Sequence, residues 1–453
     1  MFSDVPGDSL LCRAMYILKE AKVVNEGKIL ETDILVQGER IERIDPSISV
    51  RGAAKEVYCK GNFVLPGVID DQVHFREPGL THKATIATES RAAVLGGVTS
   101  YFEMPNTVPA ATDLQALEDK YAKAKTDSYA NYSFFLGATN QNLQTILDAD
   151  YSKIVGVKAF LGSSTGNLLM DDPEAIRKLF GATDAPIAVH SEDDKVVQRH
   201  AAEWKDKTIL PANIHEIIRS VEACYVSTER IVRLARELGT RLHVLHITSE
   251  KELALFDKGP VEGKRITAEV CVHHLHFSAE DYDALGDLVK CNPSIKAPEN
   301  RAAIWKALLE DRIDIIATDH APHTAAEKAL GYWNAPAGLP LVQHGLSLML
   351  RFVAEGKLSI LQVVEKMCHN PAILFAMPDR GYIREGYYAD LVQLEARPWV
   401  VRKDNIAYKC GWSPLEGVEM PMSVQNVWVS GTQMVLDGAI CQAPAGQRLT
   451  FKR

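Results

Sequence analysis

The sequence predicts an α/β fold, namely a (β/α)8 TIM barrel with a small β-sandwich domain built from both termini. The middle of the chain alternates short apolar runs with helical patterns, which is typical of parallel βα units. Both ends instead alternate polar and apolar residues between glycine turns, as antiparallel strands do. The apolar runs number eight and no G-x-G-x-x-G turn is present, which favours a closed barrel over a doubly wound open sheet.

Four segments follow from these patterns. Residues 1–15 lack the basic start of a signal peptide, so we expect a disordered leader. Residues 16–64 are predicted to form the N-terminal part of the β-sandwich, and residues 381–453 its C-terminal part. Residues 65–380 are predicted to form the barrel between them.

Eight apolar runs are the predicted barrel strands. They comprise residues 63–69, 99–103, 132–137, 154–160, 187–190, 242–247, 267–270 and 313–318. In a barrel of parallel strands, the functional groups lie at the carboxyl ends of the strands. The polar residues that follow these runs are therefore the candidates for a site.

Composition narrows the possible partners. The chain of 453 residues has 46% hydrophobic and 24% charged residues, as globular proteins do, and its net charge of -9 argues against a nucleic-acid or anionic membrane surface. No apolar run reaches the roughly 18 residues of a membrane span. The eight cysteines form no C-x-x-C pair, which fits reduced thiols. We expect a cytoplasmic protein that acts on a small molecule and forms a homodimer or higher homo-oligomer.

Side chains that could bind a metal or a ligand follow most of the predicted strands. Along the chain they are Asp70, Gln72, His74, Arg76, Asn106, Lys158, His190, His246, Asn292 and Asp319. Singly, a histidine can be an ordinary core residue, and Asp319 can cap a helix or form a salt bridge. Lys158 in a buried strand needs a salt bridge or neutralisation, and carbamylation by CO2 would make it an anionic ligand. His, Lys, His, His and Asp at five strand ends, in chain order, favour a shared metal site.

The runs PGVIDDQVHFREPG, GVKAFLG, VHSED, HVLHITS, EVCVHHL and IATDHAPH resemble motifs of the amidohydrolase superfamily. Within it they are most similar to the dihydroorotase family, with allantoinases and hydantoinases as near relatives. The resemblance extends from about residue 16 into the tail run GYIREGYYADLVQLE. It implies the reversible cyclisation of N-carbamoyl-L-aspartate to L-dihydroorotate by a metal-bound hydroxide, a step of de novo pyrimidine biosynthesis. Allantoinase or dihydropyrimidinase/hydantoinase activity is the alternative within the same group.

The same resemblance implies a site for two metal ions, usually zinc. His74 and Asp319 would hold one ion, and His190 and His246 the other. Lys158, carrying a CO2-derived carbamate, would bridge both ions. Imidazole and carboxylate ligands suit Zn2+, and Asp319 would also serve as the catalytic proton carrier.

Arg76 is the residue on which substrate choice depends. Its guanidinium can bind the ring carboxylate of dihydroorotate in a bidentate manner, whereas allantoin has no carboxylate. The structural alternative is a salt bridge between Arg76 and a neighbouring carboxylate, Glu77 or Asp70. Further positions that match substrate-binding residues of the family are Asn106, Asn292, His323 and the backbone of Ala337 and Gly338.

Gln72 departs from the family pattern, which has the first histidine of His-x-His at this position. A neutral amide oxygen is a weaker zinc ligand than imidazole. Gln72 could bind the first ion weakly, or form a hydrogen bond next to it, or mark a catalytically inactive homologue retained as a scaffold. Because the other metal-binding positions remain, the sequence favours an active enzyme.

Overall fold

The computed structural model describes residues 15–162 and 168–453. Residues 1–14 of the predicted leader lie outside this part of the chain, and Met15 already begins the first strand. The N-terminal strands are β1 (Met15–Asn25), β2 (Lys28–Gln37), β3 (Arg40–Asp45), β4 (Lys55–Tyr58) and β5 (Phe63–Pro66). Between β1 and β2, Glu26 and Gly27 have φ of 49° and 70°, the left-handed pair that a tight hairpin turn requires.

A parallel sheet follows in the middle of the chain. Its strands are β6 (Val68–Val73), β7 (Val98–Glu103), β8 (Asn131–Gly137), β9 (Gly156–Phe160), β10 (Ile187–His190), β11 (Leu242–Val244), β12 (Ile266–Cys271) and β13 (Ile315–Ala317). Within the described ranges these eight strands pair in chain order. A bridge between Val73 and His320 joins the first strand to the segment after the last and nearly closes the barrel. The predicted (β/α)8 barrel is confirmed.

The C-terminal strands return to the N-terminal sheet. They are β14 (Leu391–Glu395), β15 (Trp399–Val400), β16 (Glu419–Met420), β17 (Ser423–Val429), β18 (Thr432–Leu436) and β19 (Ala439–Ile440). In the described part of the chain, strands from both ends form one nine-stranded sheet, ordered β19-β18-β17-β14-β5-β1-β2-β3 with β4 beside β1. Strands β15 and β16 form a separate pair. One β-module is thus assembled from both termini.

The predicted strand 63–69 is in fact two strands of different sheets. β5 pairs with β14 of the terminal sheet, whereas β6 begins the barrel. Gly67 separates them, and its N–H donates to the carbonyl of Asp390 at 2.8 Å. A Cβ at Gly67 would lie 2.0 Å from Oγ1 of Thr99, so only glycine fits this close crossing between the two sheets.

Helices surround the barrel. They are α1 (Ile86–Leu95), α2 (Leu114–Asp127), α3 (Leu143–Leu147), α4 (Pro173–Phe180), α5 (Asp194–Ala202), α6 (Ile214–Ile218), α7 (Val221–Leu238), α8 (Val272–His276), α9 (Tyr282–Leu285), α10 (Pro298–Leu309), α11 (Ala325–Lys328), α12 (Gly345–Ala354), α13 (Ile360–Val364) and α14 (Asn370–Leu374). Helices α1, α4 and α7 begin where a side-chain oxygen accepts a backbone N–H, namely that of Thr85, Asp172 and Ser220. Among the helices described, none has both the length and the apolar character needed to cross a membrane.

An aromatic cluster fills the lower part of the barrel. Phe102 packs edge-on against Phe375, with ring centroids 4.9 Å apart, and against Phe451 at 6.0 Å. Phe135 joins the same buried cluster. These rings form part of the buried apolar core.

Candidate active site and metal centre

The carboxyl ends of the barrel strands surround one cavity, which we call the mouth cavity. The predicted residues that line it are His74, Arg76, Asn106, Lys158, His190, His246, Asn292 and Asp319. Gln72, Ala337 and Gly338 line it as well. His323 lies beside the cavity, where its Nε2 is 3.0 Å from Nη2 of Arg76. The residues predicted from the strand ends therefore converge in space.

Lys158 is a buried lysine that forms no ion pair with any residue that the structure describes. Only 1% of its surface is exposed, and within the described part of the chain its Nζ has no hydrogen-bond partner. Burial lowers the pKa of Lys158 to about 7, although Glu269 and Asp319 act in the opposite direction. The salt bridge considered from the sequence is therefore not observed. An amine that is partly unprotonated near neutral pH is the form that reacts with CO2.

His190 and His246 approach each other at the ends of neighbouring strands. Nδ1 of His190 is 3.1 Å from Nε2 of His246, and Nε2 of His190 is 2.8 Å from Glu192. Burial lowers the pKa of both rings, so both are neutral. Glu192 accepts the Nε2 proton of His190, which leaves the Nδ1 lone pair directed at His246. Two ligand nitrogens on one tetrahedral zinc ion lie roughly 3.3 Å apart, so this pair fits a zinc ion.

Asp319 is contacted by Gln72 and His74, the two residues that match the His-x-His positions of the family. Its Oδ1 lies 3.1 Å from Nε2 of His74 and 3.1 Å from Nε2 of Gln72. Nδ1 of His74 is 2.8 Å from Oδ1 of Asn106, so that nitrogen carries the proton and Nε2 presents a lone pair. Because burial lowers the pKa of His74, a lone pair faces a carboxylate, an arrangement that a cation between them would stabilise.

Gln72 donates its amide N–H to Asp319, and its carbonyl oxygen faces the thiol of Cys271. Oε1 of Gln72 lies 3.8 Å from Sγ of Cys271. In this orientation the amide orients a predicted metal ligand. It does not offer its own oxygen to an ion.

Arg76 is a buried cation with polar neighbours but no carboxylate partner among the residues described. It is 2% exposed, and its Nε donates to the carbonyl of Pro322 at 3.1 Å. Burial lowers the pKa of Arg76 to about 10, so it stays charged at neutral pH. Glu77 instead accepts the N–H of Ile86, and Asp70 accepts hydrogen bonds from Thr318. The structural salt bridge considered for Arg76 is therefore not observed.

His323 lies between Arg76 and a second cation. Nζ of Lys83 donates to its Nδ1 at 2.9 Å, so the proton of the ring is on Nε2, 3.0 Å from the carbonyl of Ala337. Burial, Arg76 and Lys83 hold the pKa of His323 well below its usual range. The ring is therefore a neutral donor at the edge of the mouth cavity.

Several supporting residues were missed from the sequence. His215 holds the loop that carries Asn292, since its Nε2 is 2.8 Å from the carbonyl of Cys291 and 3.0 Å from Oδ1 of Asn292. Nζ of Lys328 donates to the carbonyls of Lys290, Pro336 and Gly338. These contacts fix the segment that carries Ala337 and Gly338. The residues around His215 and Lys328 in the sequence form no motif that would indicate these roles. Glu192 could have been predicted, because it lies two residues after His190 and side chains two apart in an extended chain point to the same side.

Three residues of the site have left-handed backbone conformations, although none is glycine. The φ angles are 68° for Arg76, 41° for His246 and 45° for Asp319. Such conformations cost about 1–3 kcal/mol each and are concentrated at functional sites. Each lies just after a barrel strand, where the turn of the backbone directs the side chain into or beside the mouth cavity.

Comparisons of the sequence with known proteins all indicate the same protein family. Residues 63–434 match the amidohydrolase family. A dihydroorotase of Halobacterium salinarum is 33% identical over 439 residues, which cover 94% of this chain and 99% of that protein. An allantoinase of Solibacter usitatus is 30% identical over 454 residues, covering 96% of this chain and 97% of that protein.

A solved structure has the same fold along almost the whole chain. The L-hydantoinase (dihydropyrimidinase) from Arthrobacter aurescens superposes with a TM-score of 0.91 and 26% identity, covering 96% of this chain and 99% of its own. Metal dependence is general in the matched family, and the described residues include groups able to hold a metal. The chain therefore belongs to the amidohydrolase family, as a cyclic amidohydrolase.

Proposed function

We propose that the chain is a dihydroorotase, which interconverts N-carbamoyl-L-aspartate and L-dihydroorotate in de novo pyrimidine biosynthesis. The observation that carries the proposal is Arg76, a charged guanidinium that is 2% exposed and lacks a carboxylate partner among the described residues. A buried cation of this kind is costly unless an anion binds to it. The ring carboxylate of dihydroorotate is such an anion.

The residues of the mouth cavity also fit the two metal ions of the family. His190 and His246 would hold one ion, His74 and Asp319 the other, and a carbamate on Lys158 would supply a further oxygen ligand. The orphaned Nζ of Lys158 and the 3.1 Å distance between Nδ1 of His190 and Nε2 of His246 support this assignment. When bound, the ions would supply Lewis acidity toward the amide carbonyl and an activated water.

The residues of the chain have separable tasks in this reaction. Arg76 binds the substrate carboxylate, with His323 and Asn106 completing that pocket, and Asn292 contacts the ring. Asp319 holds a proton at a carboxylate oxygen and transfers it to the ring nitrogen as the ring opens. In ring closure the same oxygen takes the proton back. Gln72 orients Asp319 for this transfer through its amide N–H.

The second candidate is a hydantoinase or dihydropyrimidinase, or an allantoinase. The likeness to the L-hydantoinase structure favours the first two, and the allantoinase relative favours the third. The substrates of these enzymes carry no ring carboxylate to pair with Arg76, which is why dihydroorotase ranks first.

The decisive assay follows ring closure of N-carbamoyl-L-aspartate by the full chain after incubation with zinc and bicarbonate. We expect dihydroorotate to form, and a Lys158→Ala variant to form essentially none. Hydrolysis of allantoin or hydantoin with no ring closure of N-carbamoyl-L-aspartate would support the second candidate. If neither N-carbamoyl-L-aspartate nor allantoin nor hydantoin is converted, the chain is a catalytically inactive scaffold.

A further inference from the structure

A second cluster of metal-ligating side chains lies inside the barrel and was not assigned any role above. It consists of Asp71 on β6, His243 on β11 and Glu269 on β12, which we call the inner cluster. Nε2 of His243 is 3.1 Å from Oδ2 of Asp71 and 3.7 Å from Oε2 of Glu269. All three residues are fully buried, and their candidate ligand atoms lie within 4.8 Å of one another.

The hydrogen bonds of His243 determine which nitrogen faces the carboxylates. Nδ1 of His243 is 2.8 Å from Oγ1 of Thr267, and that hydroxyl donates its own proton to the carbonyl of Leu242 at 3.3 Å. Oγ1 therefore accepts from Nδ1–H of His243. Nε2 faces Asp71 and Glu269. Burial acts in the opposite direction, but hydrogen bonds with these carboxylates raise the pKa of His243 to about 9, so without an ion Nε2 carries a proton that a metal ion would replace.

The inner cluster also lacks hydrogen bonds that buried carboxylates normally have. Among the residues described, no group donates to Oδ1 of Asp71 or to Oε2 of Glu269, and neither carboxylate has a lysine or arginine nitrogen within 4.0 Å. Native structures rarely leave buried carboxylate oxygens without partners. Two orphaned carboxylate oxygens beside one imidazole nitrogen form a set of ligand atoms that a cation could occupy.

Charge balance is compatible with a divalent cation. Two carboxylates and a neutral imidazole carry a charge of -2, and without an ion protons offset it, because the pKa of His243 is raised to about 9 and burial and Asp71 raise the pKa of Glu269. A divalent ion would replace these protons and cancel the charge, and an uncompensated charge is expensive at full burial. One nitrogen and carboxylate oxygens form a ligand set that suits Zn2+.

We propose that Asp71, His243 and Glu269 bind a divalent metal ion, with zinc preferred, at a site separate from the mouth cavity. The ion would act by fixing the position of residues that support the mouth cavity. Oε1 of Glu269 accepts the backbone N–H of His246 at 3.0 Å and lies 3.4 Å from Sγ of Cys271. An ion on Oε2 would fix this carboxylate and, through it, the left-handed backbone of His246 at the mouth cavity.

Anomalous scattering at the zinc edge locates the ion directly. In crystals of the wild-type full chain grown with zinc, we expect a peak between His243 Nε2 and the two carboxylates. Peaks confined to the mouth cavity would overturn the proposal. This readout does not depend on turnover, so it stays informative if the chain proves not to be a dihydroorotase.

Metal counting on variants gives an independent test. We expect Asp71→Asn and His243→Gln each to lower the zinc content of the full chain by about one ion, and Thr267→Val to weaken zinc binding at this site by roughly tenfold or more. The matched control is Glu89→Gln, which changes an equally buried carboxylate paired with His320 at 2.8 Å outside the inner cluster. An unchanged zinc content in Asp71→Asn would contradict the assignment, as would an equal loss in Glu89→Gln.

Discussion

Nη2 of Arg76 lies 3.0 Å from Nε2 of His323, across the gap between the first barrel strand and the segment that follows the last. Both nitrogens belong to side chains that are almost completely buried. Lys83 bonds the opposite nitrogen of the same ring. Arg76 thus lines the mouth cavity beside His323, a residue that is far from it in sequence.

Replacing Arg76 by alanine should abolish recognition of the carboxylate. A charge-assisted bidentate contact contributes about 2–3 kcal/mol, so kcat/KM for dihydroorotate should fall roughly 30- to 150-fold. Steady-state kinetics measures the loss. Arg91→Ala is the control, because Arg91 is an exposed arginine of α1. Unchanged kinetics in Arg76→Ala would remove the basis for preferring dihydroorotate.

Lys158→Ala should lose both metal and turnover, by about 10³-fold or more in kcat, because the carbamate ligand is gone. Short carboxylic acids such as acetate should restore part of the activity by supplying an oxygen ligand in the space left behind. Amines of similar size serve as the control and should restore nothing. Full activity of Lys158→Ala without added acid would exclude a carbamate on this lysine.

Gln72→His should strengthen the first metal position. Imidazole is a better zinc ligand than an amide, and we expect zinc affinity at that position to rise by roughly tenfold. Competition with a chelator, followed by metal analysis, measures the change. Gln72→Leu removes the hydrogen bond to Asp319 and should lower kcat more than metal content. If the Gln72→His variant and the wild type retained the same amount of zinc against the chelator, zinc binding at the first metal position would not be weakened by Gln72.

Acid stability should depend on His344, which is remote from the inner cluster. Burial lowers its pKa to about 3, and its Nδ1 is 3.1 Å from Oγ of Ser413. Because the pKa is lower in the folded state, the unfolded chain binds more protons below the ordinary value of about 6.5, so stability falls as pH decreases from there toward 3. This one residue should cost about 2 kcal/mol of unfolding free energy between pH 7 and pH 5.

His344→Asn should reduce that pH dependence, since asparagine can replace Nδ1 as a hydrogen-bonding group but does not titrate. Denaturant unfolding of the metal-free chain at both pH values measures the difference. If the loss of stability between pH 7 and pH 5 were as large in the variant as in the wild type, His344 would not be the group responsible.

The barrel and the members of its site were predictable because both depend on local patterns. Apolar runs of strand length define the strands, and polar residues directly after them must meet where parallel strands end. The run 63–69 was predicted as one strand because its apolar character continues across Gly67. The division there arises from a tertiary contact, the crossing of Gly67 over Thr99, which leaves no mark on hydrophobic periodicity.

The supporting residues could not be predicted for the same reason. His215 reaches Asn292 from a short helix 77 positions earlier in the chain, and Lys328 bonds carbonyls that are defined only once the segment 331–338 has folded over it. The inner cluster likewise brings together side chains from β6, β11 and β12. In the sequence, nothing distinguishes these three residues from other residues of a strand.

Substrate preference of the wild-type chain tests the central claim most directly. Dihydrouracil has the ring of dihydroorotate without its carboxylate, so comparing kcat/KM for the two substrates isolates what Arg76 recognises. With zinc and bicarbonate present, the account predicts a preference for L-dihydroorotate of roughly 30-fold or more, equivalent to about 2 kcal/mol. Equal or faster hydrolysis of dihydrouracil would contradict it.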